Sequence, residues 1–395
     1  MKAIVIIPTF NERENIEKLI GILENDIFPQ IKNYEMGILV VDDNSPDGTA
    51  EVVRDLMKKW SNLDLSVGEK EGLGAAYVRG MNYAIEKLNA DVMFEMDADL
   101  QHDPKKVPDF LQKIDEGNDL VIGNRYSDGG SIPSNWPLQR KLFSITANLF
   151  VRFAFFKFSI HDWTGGFRVL KKEVFLKEKS SLSKFKGYTF QVSFLHKAVR
   201  DNFKIGQVPF HFSDRTLGDS KIAPREYIFD LLEYIIIARI KELERFIKFL
   251  IVGGTGFIVQ LITQEIFARI IFAAITTESL RDGFSAGFGA EAAIISNFMF
   301  NNFWTFSDTK HVKQNSNFFV KLIKFNISGF LSVFIQFASV FIFVHIFGED
   351  IAIAGITIKT RIAILFPTII FLIIPLNYLI YNKIIWKTQH LKDKK

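Results

Sequence analysis

Short apolar runs alternate with longer polar and charged segments from the start of the chain to about residue 220. Residues 3–7, 38–41 and 92–96 have the length and composition of buried strands, and residues 63–67 form a further candidate strand. The charged segments between them have the character of helices with one apolar face. Strands that alternate with helices predict a mostly parallel sheet, and therefore an α/β fold for this part of the chain.

The pattern changes beyond about residue 245, where the chain becomes rich in Phe and Ile. Four long apolar stretches lie near 249–271, 285–306, 326–347 and 362–384. Each is close to the ~20 residues that a helix needs to cross the hydrocarbon core of a bilayer. They predict an integral membrane protein whose all-α membrane domain contains four transmembrane helices.

These patterns divide the chain into an α/β domain over 1–221, a linker over 222–244 and a membrane domain over 245–395. The stretch 227–246 is apolar with basic residues towards its end, which is typical of a helix that lies in the membrane interface. We favour that interpretation over an ordinary core-facing helix. For the similar stretch 143–158, inside the α/β domain, both interpretations stay open.

The membrane domain contains an internal repeat. Residues 245–254 (Arg-Phe-Ile-Lys-Phe-Leu-Ile-Val-Gly-Gly) match residues 321–330 (Lys-Leu-Ile-Lys-Phe-Asn-Ile-Ser-Gly-Phe). Each copy continues into a second apolar stretch that ends in Asn and Trp, at 301–304 and at 382–386. The four predicted helices are therefore two copies of a two-helix unit.

Basic residues gather at one set of predicted helix ends, namely Lys241, Arg245, Lys248, Lys310, Lys313, Lys321, Lys324 and residues 387–395. The opposite loops contain acidic residues such as Glu278, Asp282 and Asp350. Because loops rich in Lys and Arg stay in the cytoplasm, we expect the α/β domain and both termini there. The chain enters its first strand directly after two residues, so we expect no secretory signal.

Composition narrows the classes of function. The chain has no cysteine, which excludes disulfides and thiolate metal sites. Its formal net charge of +4 is too small to indicate nucleic acid as a partner.

The most informative motif is Asp-Ala-Asp-Leu-Gln-His at 97–102, which follows the predicted strand 92–96. Asp97 and Asp99 are two residues apart, so in extended backbone their side chains point in similar directions. Such a pair suits a hard divalent cation, Mg²⁺ or Mn²⁺, that also holds substrate phosphates. Asp-x-Asp turns are common, so the motif gains weight from its surroundings.

Polar motifs follow the strand ends at Pro8, Asp42 and Asp97 alike. Ligands of parallel sheets bind beyond the carboxyl ends of the strands, so this recurrence predicts a nucleotide cleft. Turn and helix-cap roles are the alternative for Asp42, Asp43 and Asp47. Asn11 with Glu14 is similar to a capping box, which predicts a helix that starts there.

A set of distinctive motifs follows in order along the chain. They are Pro-Thr-Phe-Asn-Glu at 8–12, Val-Asp-Asp-Asn-Ser-Pro-Asp-Gly-Thr at 41–49, the motif at 97–102, Gly-Asn-Arg-Tyr at 123–126, Trp-Pro-Leu-Gln-Arg-Lys at 136–141, Asp-Trp-Thr-Gly-Gly-Phe-Arg at 162–168, Lys-Gly-Tyr-Thr-Phe-Gln at 186–191 and segments between 208 and 221. This set resembles the inverting family-2 glycosyltransferases of the GT-A fold, in particular the dolichol-phosphate mannose synthases. The membrane domain resembles the GtrA-like family of four-span modules.

The resemblance implies roles on the side of the sugar donor. The residues implied to line the guanosine pocket are Pro8, Phe10, Glu12, Val41 and Asp43. Those implied to hold the metal and the diphosphate are Asp97, Asp99 and Gln101, with Ala98 also in contact with the nucleotide sugar. Two cations, Arg215 and Lys221, would come from a mobile loop over the donor. Phe10 stands where the family often has Tyr, so ring packing is kept and a hydroxyl contact is lost.

On the acceptor side, the resemblance implies that Arg125, Arg140 and Ser144 receive the phosphate of a lipid. A phosphomonoester is mostly dianionic at neutral pH, because its second pKa is about 6. It therefore attacks without a general base, but it needs guanidinium groups to bring it near the anionic donor. For His102 we accordingly favour a structural role over that of a base.

The expected function is metal-dependent transfer of mannose from GDP-mannose to dolichyl or another polyprenyl phosphate, with inversion to a β-linked product. The nearest alternative is the same reaction with UDP-glucose. Another is a lipid-linked-sugar flippase that carries a degenerate transferase domain. A processive polysaccharide synthase is disfavoured because the chain contains no Gln-x-x-Arg-Trp sequence.

Overall fold

The computed structural model describes residues 1–182, 187–213, 224–307, 317–348, 350–353 and 356–387. It divides into two compact units, Met1–Arg239 and Ile240–Lys395.

The first unit is built from strands and helices in alternation. In chain order these are β1 (Lys2–Thr9), α1 (Arg13–Ile22), β2 (Glu35–Asp42), α2 (Thr49–Leu56), β3 (Leu63–Val67), α3 (Leu73–Glu86), β4 (Val92–Glu95), α4 (Val107–Asp115), β5 (Leu120–Asn124), α5 (Leu138–Phe155), β6 (Arg168–Lys171), α6 (Lys172–Leu182), α7 (Gly187–Arg200) and β7 (Ile205–Pro209). The next helix, α8 (Pro224–Ile266), begins in the first unit and ends in the second.

Among the described residues, seven strands form one sheet in the order β3-β2-β1-β4-β6-β5-β7. Neighbouring strands are parallel, except that β6 runs antiparallel to both β4 and β5. The predicted α/β fold with a mostly parallel sheet is therefore confirmed, and the sheet is mixed. Because β1, β2 and β4 are parallel, their carboxyl ends lie at one edge.

The central strand β1 is apolar from Ala3 to Ile7 because the sheet has a core on each face. Along β1, Ala3, Val5 and Ile7 belong to one buried cluster, whereas Ile4 and Ile6 belong to the other. Side chains alternate between faces along a strand, so five consecutive apolar residues supply both cores.

The start of α1 differs from the prediction. The helix begins at Arg13, with Glu12 as the N-cap residue and no side-chain cap hydrogen bond. Asn11 lies outside the helix with a φ of 60°, a left-handed conformation that Asn tolerates better than most residues. The predicted capping box of Asn11 and Glu14 is therefore wrong.

The second unit is mainly helical. After α8 it contains α9 (Glu278–Phe300), α10 (Phe318–Phe347), the hairpin strands β8 (Asp350–Ile353) and β9 (Ile356–Lys359), α11 (Thr360–Pro367) and α12 (Ile374–Ile380). In the described part of this unit, π-helical segments prolong or join these helices at Phe267–Ile271, Asn301–Thr305, Thr368–Ile373 and Tyr381–Ile385.

Three helices in the described part of the chain are long and apolar enough to cross a membrane: Ile228–Ile271, Phe318–Phe347 and Thr368–Ile385. The predicted span near 285–306 forms α9 and its π-helical extension, which is not among the three. Gly, Ser and Glu residues in α9 lower its hydropathy. The predicted linker helix and first span form one continuous helix rather than two elements.

Within the first unit, the beginning of α8 packs onto the core through Leu231, Tyr234 and Ile235. Phe229, on the same part of the helix, is 70% exposed. One face of this segment is therefore core-facing, as the alternative interpretation held, while apolar residues remain on another.

Candidate active site

The strand register brings the first three polar motifs to one edge of the sheet. Pro8 pairs with Val41 and Thr9 with Asp42 at the ends of β1 and β2. On the other side of β1, Ile6 pairs with Glu95, so β4 ends two residues before Asp97. The segments that leave these strands therefore lie side by side.

The loop after β2 completes the N-terminus of α1. The backbone N–H of Asn11 donates to Ser45 Oγ at 3.0 Å, and that of Arg13 donates to Asp47 Oδ2 at 3.1 Å. Thr49 Oγ1 accepts from the backbone N–H of Glu12 at 3.2 Å. Amides at a helix start lack partners within the helix, so side chains of a second loop fill the capping role here.

Asp42 and Asp47 make the bonds of turn residues. The buried carboxylate of Asp42 accepts hydrogen bonds from Thr9 Oγ1 at 2.8 Å and from the amide and hydroxyl of Ser45 at 2.8 and 2.6 Å. Burial tends to raise the pKa of Asp47, but hydrogen bonds from Thr49 and Arg13 hold it below its ordinary value. Both residues organise the loop.

The Asp43 carboxylate forms an ion pair that the sequence did not predict. Its Oδ1 lies 2.6 Å from Arg79 Nη2, on α3. Burial raises the pKa of Asp43, although Arg79 beside it opposes the shift.

The structure brings the five residues predicted for the nucleoside pocket, Pro8, Phe10, Glu12, Val41 and Asp43, to the ends of β1 and β2. Lys70 Nζ lies 3.4 Å from the centroid of the Phe10 ring, a cation–π contact that the sequence did not predict. Val41 is fully buried and faces Gly80 on α3, so it can meet a ligand only through its backbone.

The Asp-x-Asp motif is held in place by buried rings. Asp97 Oδ1 accepts a hydrogen bond from the Tyr77 hydroxyl at 3.1 Å, and the Asp97 amide donates to His102 Nδ1 at 3.0 Å. His102 stacks on Phe167 with 5.0 Å between ring centroids. Burial lowers the pKa of His102 to about 4, so its ring is neutral at physiological pH and acts as an acceptor for the motif's backbone.

A buried carboxyl group and a buried guanidinium lie on neighbouring strands directly behind this motif. Glu95 is fully buried and pairs in antiparallel register with the fully buried Arg168 on β6. Burial raises the pKa of Glu95 to about 7, although Arg168 opposes the shift. Arg168 also donates to the carbonyls of Gly165, Gln191 and Trp163, which fixes the loop before β6.

Gln101 connects the motif to the segment after β7. Its Nε2 donates to the Ser213 carbonyl at 3.2 Å, and the Ser213 amide donates to the Gln101 carbonyl at 3.4 Å. Ser213 is the last described residue before the gap that includes Arg215 and Lys221. These two predicted residues lie outside the described part of the chain.

Arg125 and Asp162 form a buried ion pair. Nε and Nη2 of Arg125 donate to Oδ2 and Oδ1 of Asp162 at 2.7 and 2.9 Å, a bidentate arrangement. Nη2 also donates to Thr164 Oγ1 at 2.9 Å. Burial tends to raise the pKa of Asp162, but Arg125 holds it below its ordinary value. The guanidinium predicted to receive a phosphate is thus oriented by Asp162.

Arg140 and Ser144 lie one turn apart on the first turns of α5. Ser144 Oγ is 2.6 Å from the hydroxyl of Tyr126, the residue after Arg125. The Arg140 guanidinium lies 3.9 Å above the Trp136 ring. The structure therefore brings all three predicted acceptor residues to neighbouring parts of the first unit.

Phe212 connects this acceptor region with the Asp-x-Asp motif. Its ring centroid lies 5.7 Å from that of Trp136 and 6.1 Å from that of His102. The Arg125 guanidinium lies 5.3 Å from the same ring. Cationic groups and the carboxylate pair thus flank one aromatic cluster.

The oxygen donors at this edge fit a hard divalent cation. Among the described residues, no three Asp, Glu or His side chains are arranged so that they alone could hold a metal ion. A magnesium-type site needs only one or two carboxylates when substrate phosphates and water complete the shell. The Asp97 side chain is 35% exposed, so one of these carboxylates is open to such a ligand.

The mixed α/β sheet, with a carboxylate pair and polar loops at its carboxyl edge, defines a GT-A-like glycosyltransferase. Residues 4–177 match the family described as glycosyl transferase family 2, and residues 248–386 match the GtrA/DPMS transmembrane domain. The chain belongs to the dolichol-phosphate mannosyltransferase family, and the predicted resemblance is confirmed for both halves.

The aligned regions cover most of the length of two relatives. The chain is 35% identical over 340 residues to a dolichol-phosphate mannosyltransferase of Pyrococcus furiosus, covering 85% of this chain and 89% of the relative. It is 38% identical over 244 residues to a polyprenol monophosphomannose synthase of Mycolicibacterium smegmatis, covering 60% and 89%.

Among solved structures, mannosyl-3-phosphoglycerate synthase from Rubrobacter xylanophilus aligns with a TM-score of 0.44 and 18% identity, over 62% of this chain and 74% of that one.

Proposed function

We propose that this protein transfers mannose from GDP-mannose to dolichyl or another polyprenyl phosphate, with inversion, at the cytoplasmic face of a membrane. The observation that carries the proposal is the 35% identity, along both halves of the chain, to a relative named for mannosyl transfer to dolichol phosphate. The arrangement of carboxylates and cations supports it.

On the donor side, Asp97, Asp99 and Gln101 would hold Mg²⁺ or Mn²⁺ together with the diphosphate. When bound, the cation stabilises the negative charge that develops on the departing nucleotide. Tyr77 and His102 fix the side chain and the backbone of Asp97, so the carboxylate is oriented before the substrate binds. Arg215 and Lys221 would add positive charge to the same phosphates.

On the acceptor side, Arg125, Arg140 and Ser144 would bind the lipid phosphate. No side chain in the described part of the chain caps the N-terminus of α5, and Arg140 lies in its first turn. Helix N-terminal amides attract anions, so this helix end and the guanidinium favour the same phosphate. The attacking oxygen is already anionic, which agrees with a buried, neutral His102 that takes no proton.

The outer face of α5 supports access to a membrane-bound acceptor. Leu138, Leu142, Ile145, Leu149 and Phe153 follow helical spacing and are between 39% and 71% exposed. Such an outward-facing apolar stripe is typical of a helix that lies in the membrane interface. Arg140 and Ser144 lie on the opposite face by the same spacing.

For the membrane domain, we propose four spans, with α9 and its π-helical extension as the second. The repeat supports this count, because residues 301–304 lie at the end of this proposed span as residues 382–386 lie at the end of the last candidate span. Four spans, together with the basic helix ends on one side, would leave both termini and the catalytic unit in the cytoplasm.

Mass spectrometry of the lipid product tests the proposal. The purified full-length protein, supplied with dolichyl phosphate, should produce dolichyl mannosyl phosphate from GDP-mannose. UDP-glucose in place of GDP-mannose should give no glycosylated lipid. If the protein used UDP-glucose but not GDP-mannose as the donor, the mannose assignment would be rejected. If it glycosylated dolichol as readily as dolichyl phosphate, the assignment of a phosphate acceptor would be rejected.

A further inference from the structure

Asn148 lies on the same face of α5 as Arg140 and Ser144, because four residues separate each of the three from the next. The sequence patterns gave no role to Asn148. It is 3% exposed, although much of the helix around it is open to the surroundings. Buried polar side chains are hydrogen-bonded in folded proteins, so the partners of Asn148 show which parts of the molecule it connects.

The Asn148 carboxamide ties the middle of α5 to the loop before β6. Its Oδ1 accepts a hydrogen bond from the backbone N–H of Trp163 at 2.7 Å. Its Nδ2 donates to Thr164 Oγ1 at 3.1 Å and to the Ser144 carbonyl at 3.2 Å. The helix that contains two of the predicted phosphate ligands is therefore joined to the loop that contains Thr164.

The loop leads from Asn148 to the third predicted phosphate ligand, Arg125. Thr164 Oγ1 accepts from Arg125 Nη2 at 2.9 Å as well as from Asn148 Nδ2. Asp162, two residues earlier in the loop, binds the same guanidinium through both carboxylate oxygens. A displacement of the loop from α5 would therefore move the Arg125 guanidinium relative to Arg140.

A second connection leads from Asn148 to the Ser144 side chain. The Tyr126 hydroxyl lies 2.6 Å from Ser144 Oγ and is also hydrogen-bonded to the Asn148 side chain. Burial raises the pKa of Tyr126, so its hydroxyl keeps a proton that it can donate to Ser144. A serine that accepts in this way has its own proton available for a phosphate oxygen.

We propose that Asn148 is a positioning residue for the acceptor phosphate. Through Thr164 it fixes the Arg125 guanidinium. Through Tyr126 it fixes the Ser144 hydroxyl. Groups that are ordered before a ligand arrives bind it more tightly, because less conformational entropy is lost on binding. The inference rests on the proposed function, which assigns the lipid phosphate to these side chains.

The test is Asn148→Ala in the full-length protein, with KM for dolichyl phosphate and for GDP-mannose measured in nanodiscs. We expect KM for dolichyl phosphate to rise about tenfold and KM for GDP-mannose to stay unchanged, because only the acceptor ligands lose their fixed positions. A residue that merely stabilised the fold would not separate the two constants. An unchanged acceptor KM, or an equal rise of both constants, would overturn the proposal.

Asn62→Ala is the matched control. The Asn62 amide also connects separate segments, since it donates to Glu24 Oε1 at 2.9 Å and to the Met36 carbonyl at 3.1 Å. It precedes β3, at the edge of the sheet opposite to the carboxyl ends of β1 and β2. Its loss should leave both KM values unchanged.

Two isosteric variants test the connections themselves. Thr164→Val and Tyr126→Phe each remove one polar group and keep the size of the side chain. Each should raise the acceptor KM about fivefold in the otherwise native chain and about twofold or less in the Asn148→Ala variant, because residues of one network have non-additive effects. Fully additive effects would overturn the proposal. If Asn148→Ala does not fold, an unchanged acceptor KM in both isosteric variants would overturn it.

The wild-type protein separates this inference from the proposed function. If the wild type transfers nothing to dolichyl phosphate, the proposed function is wrong. If the wild type is active and the folded Asn148 variant keeps its acceptor KM, only the role of Asn148 is wrong.

Discussion

Neighbouring carboxylates in the candidate site have different surroundings, and these decide which of them can hold a cation. The oxygens of Asp42 accept three hydrogen bonds from Thr9 and Ser45, so they are committed to a turn. Asp97 and Asp99 follow a strand end, and the Asp97 side chain is 35% exposed. Asp99 is 4% exposed and receives the Gln101 amide at 3.2 Å. Asp97 and Asp99 are therefore better candidates than Asp42 for holding a metal ion.

Asp99→Asn should reduce mannosyl transfer at least ~100-fold, because it removes a charged ligand while keeping the size of the side chain. The rate should be measured over a range of Mg²⁺ and Mn²⁺ concentrations. Asp103→Asn is the matched control in the same loop, where Asp103 caps a short 3₁₀ helix through the Lys105 amide. Normal turnover of the Asp99 variant would remove its metal role.

Arg140→Ala should raise KM for dolichyl phosphate about tenfold or more and leave KM for GDP-mannose unchanged. The reason is that a charge-assisted hydrogen bond contributes roughly 1.5–3 kcal/mol, and the proposed bond of Arg140 is to the phosphate of the lipid acceptor. Lys141→Ala provides the control, since the Lys141 ammonium donates to the Ser134 carbonyl at 2.5 Å. An unchanged acceptor KM in the Arg140 variant would contradict the assignment.

The sequence predicted which residues flank the site but not which side chains pair there. Motif spacing located Asp43 and Arg125, whereas their partners Arg79 and Asp162 come from distant parts of the chain. The sequence showed Glu95 only as a single charged residue within an apolar predicted strand. Its position opposite Arg168 depends on the antiparallel β6, which alternation of strands and helices cannot predict.

At the scale of elements, α5 separates two environments. Its outward stripe from Leu138 to Phe153 is exposed, whereas Asn148 and Val151 are buried. The sequence alone left the stretch 143–158 undecided, because an apolar helix stripe fits a core as well as a bilayer. Which way the stripe faces is a property of tertiary packing, and the outward direction favours the membrane.

Phe153→Asp should raise KM for dolichyl phosphate in nanodiscs severalfold without affecting GDP-mannose, because a charge on this stripe opposes contact with lipid. Leu176→Asp on α6 is a matched control, since Leu176 is 52% exposed and Phe153 is 60% exposed. Equal effects of the two substitutions would argue against a membrane role for the α5 stripe.

The start of α1 illustrates a limit of local patterns. Asn11 and Glu14 have capping-box spacing, but the amides of residues 11–13 bond to Ser45, Thr49 and Asp47. Residues more than 30 positions away supply these bonds because β1 and β2 are adjacent and parallel. A local motif cannot compete with a loop that the sheet brings alongside.

At the scale of the whole molecule, two unlike parts share one chain. A glycosyl transferase family 2 match covers 4–177 and a membrane-domain match covers 248–386. Periodicity was sufficient to predict both parts, because strand alternation and long apolar stretches are strong signals. The number of spans depends on α9, whose Gly, Ser and Glu content makes hydropathy a weak guide.

Single introduced cysteines can determine this topology, because the native chain contains none. With four spans, Thr276→Cys should react with a membrane-impermeant maleimide outside sealed cells. Asn317→Cys and Lys387→Cys should react only after permeabilisation. If Thr276→Cys and Asn317→Cys react alike, α9 does not cross the membrane.

The exposed stripe of α5 has a consequence for kinetics. We propose that the lipid stays in the bilayer while its phosphate binds Arg140, so that the enzyme encounters this substrate by diffusion in two dimensions. Turnover then follows the mole fraction of dolichyl phosphate among the lipids rather than its molar concentration. Inert phospholipid added to the same vesicles slows the reaction, whereas diluting the whole suspension leaves the rate per enzyme unchanged.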